Sequence, residues 1–428
     1  MASLSPAPGR PVLHVTDFAD PQLNEQILAL LGGLASAGVE VTLAAPLTRR
    51  WQNRLQSLGV RWTVLPLAPE LEPAGRRTVT EQLQRLLTSR PWQIVHTHEL
   101  PALRVATGAL RRLARASRPP LVASLYALPR RLSWEERWSW RWQTRGLFRA
   151  GAAVIVPSEV DRQTLRRQGG PAAPRVHVLY PTLMQTGRPS GVESGVLRGL
   201  LKLSGHAAVV GLATTLEEDD TPVFLQAAEL VQQDLPNLEF AVLGEGPRLE
   251  AARQYAHDRG LSGATVFLGR SRSVSEVISV LNVLVVLSDA GGAHLQALQA
   301  VAYGIPVVAA RVGVLAEMLN RLPGVRLVSP DDPRELATAI HDALQALPEW
   351  QDPLTARESA PGLAAGHPWL VSRDYWDLEA PWDRGALRLP SASGHRPELA
   401  AFTPEHAVAR VVALYEDLAG ADPPPSSH

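Results

Sequence analysis

Two histidines, His96 and His98, stand two residues apart in the run IVHTHE (94–99). On a strand that spacing puts both imidazoles on one face. Such a pair could share a metal ion, and His98, beside Glu99 at the strand end, is the candidate cleft residue and reacting group, with a purely structural histidine as the other reading. No third ligand follows at a useful spacing, so the pair by itself predicts no metal and no metal cofactor. A second feature is Gly244-Glu245-Gly246-Pro247, where a strand-like run meets a helical one. Glycines there let backbone N–H groups come close to a ligand, and the helix that follows presents a start that favours anions. The stretch GLATTLEEDD (211–220) is the opposite: it carries four consecutive carboxylates, Glu217 to Asp220. Asp289 is a further lone carboxylate in a turn-like segment, where turn chemistry is the ordinary role of an aspartate.

Other chemistries are excluded by what is missing. There are no cysteines, hence no disulfide, thiolate metal site or cysteine nucleophile. No phosphate-binding GxxxxGK[ST], no GxSxG and no nucleic-acid motif is present. No run of 18 or more apolar residues occurs, which predicts no membrane span, and MASLSPAPGRP lacks the basic and apolar regions of a secretory leader. The cytoplasm is the expected compartment.

The elements that must position these residues are legible as an alternation. Strand-like runs at 11–18, 39–47, 61–67, 94–99, 121–126, 152–158 and 176–181 are separated by segments with apolar residues three and four apart, such as Ile27, Leu28, Leu31 and Leu34, or Leu103, Ala106, Leu110 and Leu113. A linker rich in Gly, Pro and Ser occupies 184–205. A second series follows, with strands at 207–214, 239–246, 264–269, 283–288, 306–310 and 325–329, and with helical stripes at Val223, Ala227, Leu230 and Val231 and at Leu336, Ile340, Ala343 and Leu344. Repeated βα units with near-continuous apolar strands predict an α/β protein of two Rossmann-like, doubly wound domains, with ligand at the strand C-termini. Residues 1–190 form the first domain and 206–347 the second. Residues 348–401, with Trp350, Trp369, Trp376 and Trp382 and little periodicity, form an insertion, and the chain closes in a helix (402–420) with an apolar face of Val408, Val411, Val412 and Tyr415.

The order and spacing of several segments resemble glycosyltransferase family 4, the retaining GT-B glycosyltransferases. GEGPRLEAARQYAHDRGLSGATVFLGR (244–270) is similar to the family's G-x-G-P turn, helix and F-x-G strand end. YGIPVVAARVGVLAEML (303–319) resembles its G-x-P-V-V-A stretch with a following glutamate. LASAGVEVTL, VHTHE, AAVIVPSEVDRQTL and the closing FTPEHAVARVVALYEDL resemble further family segments, so that the likeness covers 11–347 and 402–418. It implies a GT-B fold whose last helix returns to the first domain, transfer of a sugar from a nucleotide-sugar donor to a glycan or lipid acceptor, and no metal. It places Gly244, Gly246, Pro247, Arg270, Gly291, Gln299 and Glu317 on the substrate side, with Glu317 at a helix start.

Several family positions are altered. Leaving-group charge calls for fixed cations, yet Leu212 stands where the family has an arginine and Glu217 or Glu218 where it has a lysine. The only lysine is Lys202, before the strand. The family's two glutamates eight positions apart fall on Gly291 and Gln299, its glycine pair on DPQLNE (20–25), and its histidine on Tyr126. Two expectations follow: a transferase with a degraded donor site, or an inactive relative serving as scaffold, regulatory partner or glycan-binding module.

Charge is uneven. Residues 1–190 hold 25 Arg against 12 Asp+Glu (25 − 12 = +13), and the remainder holds 17 Lys+Arg against 30 (17 − 30 = −13). A basic first half suits an acidic acceptor, an acidic protein or anionic lipid, and attraction between the two halves explains it as well. Trp134, Trp138 and Trp142 beside Arg137, Arg141 and Arg145 (133–149) form either a core-facing helix or a peripheral membrane contact.

Overall fold

The computed structural model describes residues 11–19, 21–126, 153–169, 175–183, 197–199, 201–203, 207–217, 220–269, 274–288, 293–347 and 397–420. The arginine–tryptophan segment at 133–149 and nearly all of the 348–401 insertion lie outside the described residues. The chain divides into two compact units, Met1–Met184 with Ala400–His428, and Gln185–Leu399.

Unit 1 is a seven-stranded parallel sheet of β1 (Val12–Val15), β2 (Val41–Ala45), β3 (Arg61–Val64), β4 (Ile94–His98), β5 (Leu121–Ser124), β6 (Ala153–Val156) and β7 (Val176–Val178), in the order 3-2-1-4-5-6-7. β1, β2, β4, β5 and β6 are buried along their whole length. That is the pattern of strands covered on both faces, while the edge strand β3 is mostly exposed. The helices are α1 (Pro21–Ser36), α2 (Arg49–Ser57), α3 (Pro73–Thr88, opened by Pro73), α4 (Glu99–Arg111) and α5 (Glu159–Gly169). Leu113, expected on the α4 stripe, lies past the helix end but still packs on the core.

Unit 2 repeats the plan. Its sheet is β8 (Ala208–Ala213), β9 (Leu238–Leu243), β10 (Thr265–Gly269), β11 (Val283–Val286), β12 (Val307–Ala310) and β13 (Val325–Val328), all parallel, in the order 10-9-8-11-12-13. Its helices are α6 (Asp220–Asp234), α7 (Leu249–Asp258), α8 (Val274–Ser279), α9 (Ala293–Ala302), α10 (Gly313–Leu319) and α11 (Pro333–Gln345). Asp332 caps α11, accepting from the N–H groups of Arg334 (2.9 Å) and Glu335 (3.1 Å), a contact that stabilises a helix by about 1 kcal/mol. Gly304 ends α9 with φ of 76°, while its N–H bonds Val301 O and the Ile305 N–H bonds Ala300 O. This is a glycine C-cap that a Cβ would strain.

The final helix α12 (Pro404–Gly420) belongs to unit 1 and packs on α1. Val408, Val411, Leu414 and Tyr415 are buried with Ile27, Leu31 and Leu34. Each such side chain contributes roughly 1.5–3 kcal/mol relative to exposure. Gly33 makes the approach close, since a Cβ there would stand 2.4 Å from Val408 Cγ2. Among the described residues, no helix is long and apolar enough to cross a membrane.

Candidate functional site

In unit 1 the chemistry lies on the face of the sheet that α1 and α12 cover. Along β1, β4 and β5 the inward positions begin apolar, with Val12, Ile94 and Val122. They turn polar toward the strand C-termini, with His14, His96, His98, Ser124 and Tyr126. His14 pairs in register with His96 across β1 and β4, so alternation along β4 and pairing across to β1 bring three imidazoles together. All three are wholly buried.

Their hydrogen bonds form a continuous chain from Tyr126 to Ser124. Tyr126 Oη is 2.8 Å from His98 Nδ1, and His98 Nε2 is 2.9 Å from His14 Nδ1. His14 Nε2 is 3.2 Å from Tyr415 Oη, and Tyr415 Oη is 2.6 Å from His96 Nδ1. His96 Nε2 is 2.7 Å from Ser124 Oγ. A neutral imidazole has one donor and one acceptor, and each hydroxyl can donate once and accept once. Five hydrogen bonds therefore link the six groups in a chain whose donors can run in either direction. Burial pushes His98 down to about 3. Burial and then the neighbouring histidines hold His14 and His96 well below the usual imidazole range. Tyr126 is pushed up by burial and by Glu99, and Tyr415 by burial and by Tyr126.

His98, singled out from the sequence as a reacting group, is thus closed to solvent, and its two ring nitrogens are engaged. Tyr126, at the position of the family histidine, is bound to it. Both Ser124 and Tyr126 also line a small cavity with Gln26, Leu30, Leu179 and Ala407. Glu99 begins α4 with φ of 70°, Phe18 follows β1 with φ of 54°, and Leu216 follows β8 with φ of 54°. Left-handed conformations in bulky residues cost of order 1–3 kcal/mol and concentrate at functional sites. All three sit just past strand C-termini, where open α/β sheets bind ligands.

In unit 2 the loops after β8, β9 and β10 are drawn together. Thr214 N–H donates to Leu243 O (3.0 Å) and Arg248 N–H to Leu216 O (3.2 Å), while Gly244 bridges Gly269. The glycines of the GEGP turn make this possible. A Cβ at Gly244 would lie 1.9 Å from Thr214 O, and one at Gly246 would lie 2.2 Å from Thr215 O. The close approach they allow here is to the chain's own β8–α6 loop. Pro247 is exposed beside them. Leu212 lies within β8 and is wholly buried in the core. Of the four carboxylates, Glu217 is exposed and Glu218 and Asp219 lie outside the described residues. Asp220 turns inward as the first residue of α6 and accepts from Thr214 Oγ1 (2.9 Å) and Thr221 Oγ1 (3.3 Å).

Gln299 is half-buried on α9. Glu317, expected at a helix start, is the fifth residue of α10. Asp289, Gly291 and Arg270 lie outside the described residues. Sequence reasoning passed over His14, whose signal was the strand order that sets β1 beside β4, and Ser124 and Tyr415. It also passed over two arginines, Arg248 after β9 and Arg311 after β12, both exposed at the C-terminal edge of the second sheet.

Two successive doubly wound units with these strand orders, the second carrying the GEGP turn and the first joined by the last helix, define the GT-B class of α/β proteins. Family models agree: a glycosyl transferase 4-like domain matches residues 23–182, and a glycosyl transferases group 1 model matches 207–346. The chain belongs to the glycosyltransferase family 4-like GT-B proteins. It is 25% identical over 378 residues to the 2-deoxystreptamine glucosyltransferase of Streptomyces kanamyceticus, covering 84% of each chain. To the GDP-mannose-dependent alpha-(1-6)-phosphatidylinositol monomannoside mannosyltransferase of Mycolicibacterium smegmatis it is 27% identical, over 74% of this chain and 81% of that one. It spans only 20% of the length of an exopolysaccharide phosphotransferase of Streptomyces coelicolor, at 28% identity over 45% of this chain. The solved structure of Anabaena Alr3699/HepE in complex with UDP and glucose superposes with a TM-score of 0.66 at 15% identity, over 96% of this chain and 100% of that one.

Proposed function

We propose that this chain is a glycosyltransferase-fold protein that takes a nucleotide-sugar weakly at the strand ends of unit 2 and transfers the sugar slowly or not at all by the family's usual means. One observation carries the reading: the β8–α6 loop, Thr214 to Leu216, is seated on Gly244 and Gly246, with Leu212 sealed in the core behind it. Backbone of the chain's own loop stands where the resemblance would bring a diphosphate against the glycines. The residue at the family arginine's position cannot reach solvent. Loss of one fixed donor to developing charge commonly costs about 10²–10³ in rate, and several positions are altered together. The named activities of the two long relatives, and the UDP complex of the structural neighbour, support a nucleotide-sugar as the ligand class. Arg248 and Arg311, exposed at the C-terminal edge of the second sheet, are the candidate cations for its phosphates among the described residues. The acceptor is a glycan or lipid, reached in the cytoplasm or at the membrane surface through the basic unit 1.

Calorimetry against UDP, GDP and ADP and their sugars, with mass-spectrometric detection of transfer products, tests the reading. Millimolar binding with turnover at least about 10³-fold below the usual 1–10³ s⁻¹ is expected. Micromolar binding with ordinary turnover overturns it. A folded chain that binds none of them overturns it in the other direction and leaves a scaffold, regulatory or glycan-binding role.

A further inference from the structure

We propose that His14, His96 and His98 form a metal site inside unit 1, taking one nitrogen-preferring divalent cation such as Zn²⁺ or Co²⁺. The sequence spacing offered two ligands on β4, and the register of β1 supplies the third. One ligand atom from each histidine lies within 4.8 Å of the other two. A tetrahedral zinc with Zn–N bonds of about 2.0–2.1 Å sets its nitrogens roughly 3.3 Å apart. His14 Nδ1 and His98 Nε2 stand 2.9 Å apart and share a proton. Replacing that proton with a cation opens the pair by about 0.4 Å, and His96 closes in by up to about 1.5 Å to reach the same spacing.

The outer side of each ring is already prepared. Metal-binding histidines are oriented by a hydrogen bond on the nitrogen away from the ion. Here His98 Nδ1 meets Tyr126 Oη, His14 Nε2 meets Tyr415 Oη, and His96 Nε2 meets Ser124 Oγ. Protons balance without loss: each imidazole keeps its single N–H, carried on the outer nitrogen and donated to a hydroxyl oxygen. The inner lone pairs bind the ion. A water completes four ligands, and Tyr415 Oη keeps its contact with His14 Nε2 while giving up the one with His96 Nδ1, so that this nitrogen turns to the ion. Three imidazoles with no carboxylate among them suit zinc or cobalt over magnesium or calcium. Burial also keeps the rings in the neutral form that ligates. With no open position toward solvent the ion is structural, tying the sheet to α12 through Tyr415.

The test uses the untagged full chain, refolded from denaturant with Co²⁺, with Zn²⁺ or with neither. Expected are about one ion per folded chain by plasma mass spectrometry, the visible absorption of tetrahedral Co²⁺, and a thermal midpoint raised by Zn²⁺. His14→Gln abolishes the absorption, while His257→Gln, which changes an exposed histidine of unit 2, leaves it intact. A chain that refolds by circular dichroism yet holds under about a tenth of an equivalent, with no visible band, overturns the proposal. So does a band that survives His14→Gln. If His14→Gln does not fold, the wild-type uptake and the His257→Gln comparison still decide.

Discussion

Substituting Tyr415→Phe removes one oxygen and disturbs two histidines. The phenol is buried, 4% exposed, and its oxygen contacts His96 Nδ1 at 2.6 Å and His14 Nε2 at 3.2 Å. Phenylalanine preserves the ring and the packing of α12 and leaves both imidazole nitrogens without a partner in an apolar interior. Each orphaned buried polar group costs about 1–3 kcal/mol, so the loss is roughly 2–6 kcal/mol from a stability of order 5–15 kcal/mol. With a urea slope near 2 kcal/mol/M, the midpoint of the transition that contains unit 1 falls by about 1–3 M. Urea titrations followed by tryptophan fluorescence and far-ultraviolet circular dichroism measure it in the metal-free chain. A double-mutant cycle with Ser124→Ala sharpens the result. Both hydroxyls serve His96, so once one is gone that ring is already loosened, and the second loss falls short of its single-mutant value by about 0.5 kcal/mol or more. A fall of less than about 0.5 kcal/mol for Tyr415→Phe, the range of an ordinary surface change, would refute this buried hydrogen-bond chain.

Gly244→Ala forces a methyl group to within 1.9 Å of Thr214 O. Because the obstacle is backbone, the β8–α6 loop must lift, and a loss of about 2–4 kcal/mol by thermal or urea unfolding is expected. Gly33→Ala meets the stiff Val408 side chain at 2.4 Å. The expected cost is about 1–3 kcal/mol, appearing first as faster amide exchange in α12 and not in the helices of unit 2. Leu212→Arg restores the residue type of the family position but buries an unpaired guanidinium. The chain is expected to lose about 3–5 kcal/mol, read by its urea midpoint, with no gain in nucleotide binding by calorimetry. Asp220→Ala leaves the buried Thr214 Oγ1 and Thr221 Oγ1 without their acceptor, for a loss of about 1–3 kcal/mol by urea unfolding.

Apolar periodicity was a sufficient guide to the fold because both sheets are buried on both faces. Each predicted run coincides with one of the thirteen strands of the described residues, and errors are confined to ends, as where Leu113 falls beyond α4. The sites were less legible, for two physical reasons. The first is that a histidine cluster assembled from β1, β4, β5 and α12 has no local spacing. His14 and Tyr415 are 401 residues apart, and only the 3-2-1-4-5 strand order and the return of the last helix bring them together. Composition could show that His96 and His98 share a face, but what the face meets is a tertiary fact. The second is that a glycine motif records a close approach without recording what approaches. Gly244 and Gly246 fit a phosphate equally well on the sequence, and the structure shows Thr214 and Thr215 carbonyls against them. Gly304 in the GIPVV segment likewise serves a helix end. Glycine positions shared with a family can therefore survive for the fold alone. The residues that discriminate transfer from mere ancestry are charged side chains that reach a phosphate, and in the described part of unit 2 Arg248 and Arg311, exposed at the strand C-termini, are the candidates.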